Sequence, residues 1–239
     1  AIKRSSSINY PTYAKRSAQT KALAASFDVN AVNYGNDTLS LTEKIGDAFD
    51  IEQHQDKQNA MRALEDTSKE VLRSMGEECD AKIYAALIAA CQAAGRNVVA
   101  TSDTYADIVD LSKKLDDGNV PSEGRFLIAS TSLYASLLKT KDFVRFDSLG
   151  DGQAVRSGAV GEILGFTVLK TTVCSGDSVA YQKDGVVSAI QGETLMMSAS
   201  VPESTKMRYS ISDLFGCKVL QVTGGNSTPF AVRLGANPA

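Results

Sequence analysis

The chain has 239 residues, 43% of them hydrophobic and 22% charged, enough to bury a substantial core and unlike the charge-rich, apolar-poor composition of a disordered chain. The formal net charge is −3. No stretch approaches the roughly 18 consecutive apolar residues that a membrane-spanning helix needs, and no apolar signal-peptide core stands near the start.

This size fits one large domain or two small ones. The expected site of synthesis is the cytoplasm. Ala1 leads the chain, as it would after removal of an initiator Met or other N-terminal processing.

Charge is unevenly placed. Lys3, Arg4, Lys15, Arg16 and Lys21 give residues 1–27 a charge of +5 without a single acid, leaving −8 for the remainder. A basic arm on an acidic body suggests an electrostatic partner. The plainer alternative is a solvated, disordered arm. Residues 1–20 are rich in Ser, Thr, Lys and Tyr, with Pro11, and read as an extended arm without a core.

Residues 21–52 read as weak strands around a turn at Tyr34-Gly35-Asn36-Asp37. Leu39 and Leu41 then alternate with Thr38, Ser40 and Thr42, and Ile45, Phe49 and Ile51 continue the pattern. Such a hairpin has too little apolar surface to stand alone and must lie on something else.

The strongest periodic signal predicts a helix from about Asp56 to Ala94. Met61, Leu64, Ser68, Val71, Leu72, Met75, Cys79, Ile83 and Leu87 recur every three or four residues. Glu65, Lys69, Arg73 and Glu77 between them are spaced for i,i+4 ion pairs. Gly95 stands where a C-cap glycine is expected, and Gly76 is a candidate bend.

Ser102-Asp103 predicts the cap of a second helix running through Lys114, with Tyr105, Ile108, Leu111 and Leu115 on one face. Asn119-Val120-Pro121 reads as a turn, Arg125–Ser130 as a buried strand, and Thr131 as the cap of a short helix carrying Leu133, Tyr134, Leu137 and Leu138. Residues 147–162 read as a glycine-rich loop.

Strands are expected at Ile163–Thr171, at Val179–Tyr181 and Val186–Ile190 as a hairpin about Asp184-Gly185, then at Thr194–Val201, Lys206–Ile211 and Cys217–Val222, with a last strand at Phe230–Leu234. The order of elements is an α+β plan with a protruding front end.

Chemistry is sparse. The single histidine, His54, lies in a polar run at a helix start; a Ser-His-Asp or Cys-His mechanism needs a histidine held in a shaped site. Gly150-Asp151-Gly152 begins like a dinucleotide-binding loop, but Val155 occupies the third glycine position, and a mobile surface loop is the simpler reading. Glu77-Glu78 and Asp116-Asp117 are adjacent on helices, point apart, and read as solvated charge.

Cys79, Cys91, Cys174 and Cys217 have no metal-site spacing; Cys79 and Cys91 would lie roughly 18 Å apart on one helix, so free thiols are expected. Tyr10 and Tyr13 are few aromatics for a nucleic-acid stacking platform. These residues offer no catalytic, metal or cofactor site. The long amphipathic helix and the unsupported arm and hairpin point to assembly.

Three segments carry a resemblance. Asn119–Leu138 (NVPSEGRFLIASTSLYASLL) has a V-P-x-x-G-R turn leading into a strand and a short helix. Ser157–Thr172 has small residues followed by G-x-I-x-G-F-x-V, and Phe215–Gln221 has Phe-Gly-x-x-Val. In this order the chain resembles the major capsid proteins of tailed bacteriophages, over roughly residues 38–235.

The resemblance implies the Hong Kong 97-like capsid fold. In that fold residues 1–20 would be the N-terminal arm, 21–52 the extended loop, 53–95 with 194–223 the peripheral domain and its spine helix, and 96–193 with 224–239 the axial domain. It implies a structural protein of the virion, not an enzyme, self-assembling as hexamers and pentamers into an icosahedral shell around double-stranded DNA.

Scaffolding, portal and decoration proteins are the further partners implied. No scaffolding segment is visible at the N-terminus, so a scaffold would be separate or cleaved. The basic arm residues would face DNA or a neighbouring subunit. The rivals are an encapsulin-type nanocompartment shell, which shares the fold but packages protein, and a soluble enzyme.

Overall fold

The computed structural model describes residues 7–13, 19–21, 23, 26–27, 34–52, 63–139, 161–174, 176–191, 195–202, 204–222 and 228–235. Two sheets share one long helix, α1 (Ala63–Ala93), whose 31 residues span about 46 Å at ~1.5 Å each. The expected helix start near Asp56 lies outside the described residues, as do His54 and residues 147–160 of the expected glycine loop.

The first sheet is built on β11 (Lys206–Val219), a 14-residue strand. β3 (Glu43–Glu52) pairs antiparallel along one side of it, from Lys206↔Glu52 to Phe215↔Glu43. β10 (Leu195–Ser200) and β9 (Val186–Ile190) follow one another along the other side. Residues 43–52, which the sequence groups with the extended segment 21–52, are thus part of this sheet. Ile211, Phe215 and Ile45 face α1, where they pack on Val71 and Met75, with Phe49 and Cys79 at the margin.

The second sheet has six strands in the order β4 (Asn97–Val99), β14 (Ala231–Gly235), β8 (Ser178–Gln182), β5 (Arg125–Ala129), β7 (Phe166–Lys170) and β6 (Glu162–Ile163). The β14–β4 and β5–β7 pairs are parallel; the others are antiparallel.

Alternate residues of a strand face opposite sides. Leu127 and Ala129 therefore meet α2 (Thr104–Asp117) and α3 (Thr131–Lys139) through Ile108, Leu111, Leu115 and Leu137. Ile128 and Val179 meet the C-terminal half of α1 through Tyr84, Leu87 and Cys91. One helix thus seals a face of each sheet, which explains why it outruns the width of either.

The local signals for the helices hold. Gly95 has φ +65°, with Gly95 N–H bonded to the Gln92 carbonyl and Arg96 N–H to the Cys91 carbonyl, the two bonds of a Schellman cap. Asp103 caps α2 by accepting from the N–H groups of Tyr105 and Ala106. The ion pairs Glu65–Lys69 and Arg73–Glu77 form at 2.7 and 3.2 Å. α1 continues through Gly76.

Other expectations are corrected. Tyr34-Gly35-Asn36-Asp37 is no turn: it opens β2 (Tyr34–Ser40), which pairs antiparallel with β1 (Ser7–Tyr13). Leu72, assigned to the buried face of α1, is 48% exposed. Ser130 caps α3, not Thr131: its hydroxyl accepts from Leu133 N–H.

Ile163–Thr171 is not one strand. Leu164-Gly165, with φ +48° and +77°, folds it into the β6–β7 hairpin, since two consecutive positive-φ residues make the primed turn that joins antiparallel strands. Val179–Tyr181 and Val186–Ile190 are not a hairpin either. The 3-10 turn Lys183–Gly185 passes the chain from β8 in one sheet to β9 in the other. Lys206–Ile211 and Cys217 belong to the single strand β11.

Candidate assembly surfaces

The β1–β2 ribbon leans on the body near β11. A two-stranded ribbon is marginal by itself in water. Leu39 and Leu41 are buried at its end, and Asp37 pairs with Lys218 of β11 at 2.5 Å. There the chain crosses β11 over Gly216, where a Cβ would overlap the Ser40 carbonyl oxygen and lie 3.2 Å from the Leu41 side chain.

The glycine of the Phe-Gly-x-x-Val motif is thus the notch through which the ribbon leaves the body. Farther along the same segment Leu23 and Phe27 stand fully or largely in water, and Ile8 on β1 is half-exposed.

The V-P-x-x-G-R motif also has a physical role. Arg125 is 4% exposed, and its guanidinium donates to the Pro121 carbonyl at 2.9 Å, the Val120 carbonyl at 2.7 Å and the Asp116 carboxylate at 2.7 Å. It clamps the turn after α2 to the start of β5. Asp116, read from sequence as solvated charge, is the anionic anchor of that clamp. Two further buried arginines tie elements together: Arg96, just before β4, donates to the Lys114 carbonyl of α2, and Arg233 of β14 donates to Asp177 at 2.9 Å.

Exposed apolar side chains occur on both sheets. Met196, Met197 and Ile190 are exposed along the free side of β10 and on β9, beyond the reach of α1. Around the second sheet, Val99, Val109, Leu138, Leu164 and Leu169 are exposed. Single exposed apolar side chains are ordinary, and these are spread over both sheets and the helices of the second.

Chemistry among the described residues remains thin. A shallow groove of about 390 Å³ between α1 and β3 is lined by Glu43, Asp47, Glu78, Lys44 and Lys82 beside Ile45, Val71 and Met75. Its three acids and two lysines leave a net charge of −1, with Lys82 paired to Glu43 at 2.9 Å. No group of three His, Cys, Asp or Glu among the described residues could hold a metal.

The cysteines are free, and burial pushes the Cys91 thiol up to about 12, with Cys79, Cys174 and Cys217 raised for the same first reason. These thiols are protonated and unreactive at neutral pH. Of the arm residues, Lys3, Arg4, Lys15 and Arg16 lie outside the described set, and Lys21 is half-buried and already engaged. The carboxylates of Glu65, Glu70 and Glu77 are paired within α1.

A family model described as phage capsid protein matches residues 35–225. The chain belongs to the phage capsid protein family. Its fold is the Hong Kong 97-like capsid fold.

A structure from Mycobacterium phage Che8 superposes with a TM-score of 0.70 at 16% identity, covering 97% of this chain and 85% of that one. The capsid structure of the cyanophage P-SCSP1u gives 0.69 at 17%, over 99% and 85%. A structure from Mycobacterium phage Adephagia gives 0.72 at 13%, over 98% and 86%. A search of curated proteins finds no match. This capsid protein is therefore a shell-building subunit of the virion. No described helix is long and apolar enough to cross a membrane.

Proposed function

We propose that this capsid protein closes, as hexamers and pentamers, an icosahedral shell around double-stranded DNA, and that it has no catalytic role. The observation that carries this is the ribbon: it meets its own body about Leu39, Leu41 and the Asp37–Lys218 pair, while Leu23 and Phe27 of the same segment stand in water. Such a segment gains its missing contacts on a neighbouring subunit. Residues 1–20 act as the arm and 21–42 as the extended loop. The sheet built on β11 is the peripheral domain and the six-stranded sheet the axial domain, with α1 as the spine through both. Scaffolding, portal and decoration proteins are further partners, and the subunit is made in the host cytoplasm.

The arm meets DNA without sequence preference. The five cations of residues 1–27 neutralise phosphates and release counterions, while the remainder at −8 repels the duplex. Pairing of the arm with α1 of a neighbour is the less favoured route, because Glu65, Glu70 and Glu77 already have partners. The test is electron microscopy of purified protein, with nucleic acid extracted after nuclease treatment. Closed particles protecting DNA are expected, and open sheets or particles filled with a single enzyme would overturn the reading. A synthetic 1–27 peptide should bind unrelated duplexes at low salt and release them as salt rises.

A further inference from the structure

Met196 and Met197 are sulfur side chains placed outside the buried clusters. β10 is the outer strand of the first sheet, and among the described residues its far side pairs with nothing. Met196 stands opposite Ile211 of β11 and Met197 opposite Ser210, so the two thioethers project from opposite faces of the sheet. They are 50% and 70% exposed, and neither belongs to a core. The other described methionines differ. Met75 is 8% exposed between α1 and β11, and Met207 of β11 is half-buried.

Peroxide reaches sulfur in two forms. A thiol reacts as its thiolate, and burial pushes the Cys91 thiol up to about 12 and raises Cys79, Cys174 and Cys217 as well. A thioether has no proton to lose, so its access to solvent decides how fast it is oxidised. By that criterion the pair on β10 stands apart from every other described sulfur.

We propose that Met196 and Met197 form the oxidation site of this chain, converted to sulfoxides by hydrogen peroxide or a small organic hydroperoxide ahead of its other described sulfur groups. Each sulfur gives an electron pair to one peroxide oxygen. The O–O bond breaks, an S–O bond forms, and the second oxygen leaves with the proton as water or an alcohol. Methionine is oxidised, the peroxide is reduced, and no further reactant is needed. The sulfoxide is polar, but on β10 it displaces no core contact, so the fold is kept. The site is a property of the subunit and does not depend on shell formation.

The experiment treats the unassembled subunit, as the full chain, with dilute hydrogen peroxide, quenches with free methionine, and follows each sulfur by peptide mass spectrometry. Met196 and Met197 should each gain one oxygen at least about tenfold faster than Met75 and Met207. Their rates should be the same from about pH 6 to pH 8, whereas oxidation of a thiol speeds up as the pH rises. The chain oxidised at both positions should melt within about 2 °C of the untreated one. Oxidation of Met75 or Met207 at a comparable rate, or of a cysteine first, would overturn the site. A large fall in melting point on oxidation of the pair alone would overturn its place outside the core.

Discussion

Gly216 lies against the carbonyl of Ser40, so closely that a Cβ at 216 would overlap that oxygen and reach the Leu41 side chain. The contact sets where the ribbon parts from the body, and it joins a motif near the C-terminus to the front of the chain. Gly216 lies toward the C-terminal end of β11, paired with Ala189 of β9, and the atom a Cβ would meet first is the Ser40 carbonyl oxygen.

Gly216→Ala is therefore expected to cost about 1–3 kcal/mol, the usual range for inserting a methyl group into a filled space. The helices should survive, and the ribbon should come loose. Circular dichroism with limited proteolysis checks this: an unchanged spectrum with faster cleavage before residue 43 is the expected outcome, and wild-type cleavage rates would refute it.

Arg125→Met should be worse. The variant fills much of the space but leaves the Val120 and Pro121 carbonyls, both bonded by Arg125 at 2.9 Å or less, without that donor beside the buried start of β5. Loss of such charged hydrogen bonds costs on the order of 2–4 kcal/mol. Asp116→Asn should cost far less, because its carboxylate is mostly in water and the two carbonyls keep their bonds. Equal melting points for the two variants would contradict the clamp.

Much of this was open to sequence reading, and the division follows the range of the interaction. Caps at Asp103 and Gly95, the face Ile108-Leu111-Leu115 and the ion pairs of α1 are decided within a turn or two of chain, so spacing reveals them. Partners of strands are not. Asp184-Gly185 does turn the chain, but Val186–Ile190 pairs with Val219–Phe215, about 30 residues on, and the hairpin reading fails.

Asp213 and Gly216 make β11 look like two strands; β3 and β9, pairing along opposite sides of it, make it one. The surfaces were less legible still. Leu164 reads as strand interior because nothing in Ile163-Leu164-Gly165-Phe166 announces a primed turn at Leu. The motifs Gly216 and Arg125 could be noticed by resemblance, but only the geometry says what each one touches.

The Asp50–Arg208 pair gives a pH dependence. Arg208 Nε and Nη2 lie 2.7 and 2.8 Å from the two Asp50 oxygens and join β11 to β3. That hydrogen bonding holds the Asp50 carboxyl below its ordinary 3.8. A lowered carboxyl contributes stability that is present above the unfolded value and is lost as pH falls through the folded one. Asp50→Asn should therefore melt below wild type at pH 7, and the gap should close under acid conditions below the folded-state value. A gap that persists there, or none at pH 7, would count against the pair.

Paired substitutions on α1 test the helix face that joins the two sheets. Met75 and Leu72 are three residues apart, and both fit the apolar periodicity of the sequence. Only Met75 is buried, 8% exposed among Val71, Ile211 and Phe215; Leu72 is 48% exposed. An aspartate at 75 would sit unpaired in the core between α1 and β11, and the variant would lose the packing of the Met side chain as well. Losing that packing alone typically costs 2–5 kcal/mol, and the buried charge adds to it. A single domain has only about 5–15 kcal/mol in hand. Met75→Asp is thus expected to give insoluble or molten protein, while Leu72→Asp leaves the subunit folded with a melting point within a few degrees of wild type. Leu72→Asp also separates fold from assembly: if the exposed leucine meets a neighbour, shells form poorly from well-folded subunits, and if it faces solvent, shells form normally. Soluble Met75→Asp protein with an unchanged melting point would show that the helix face is wrongly assigned.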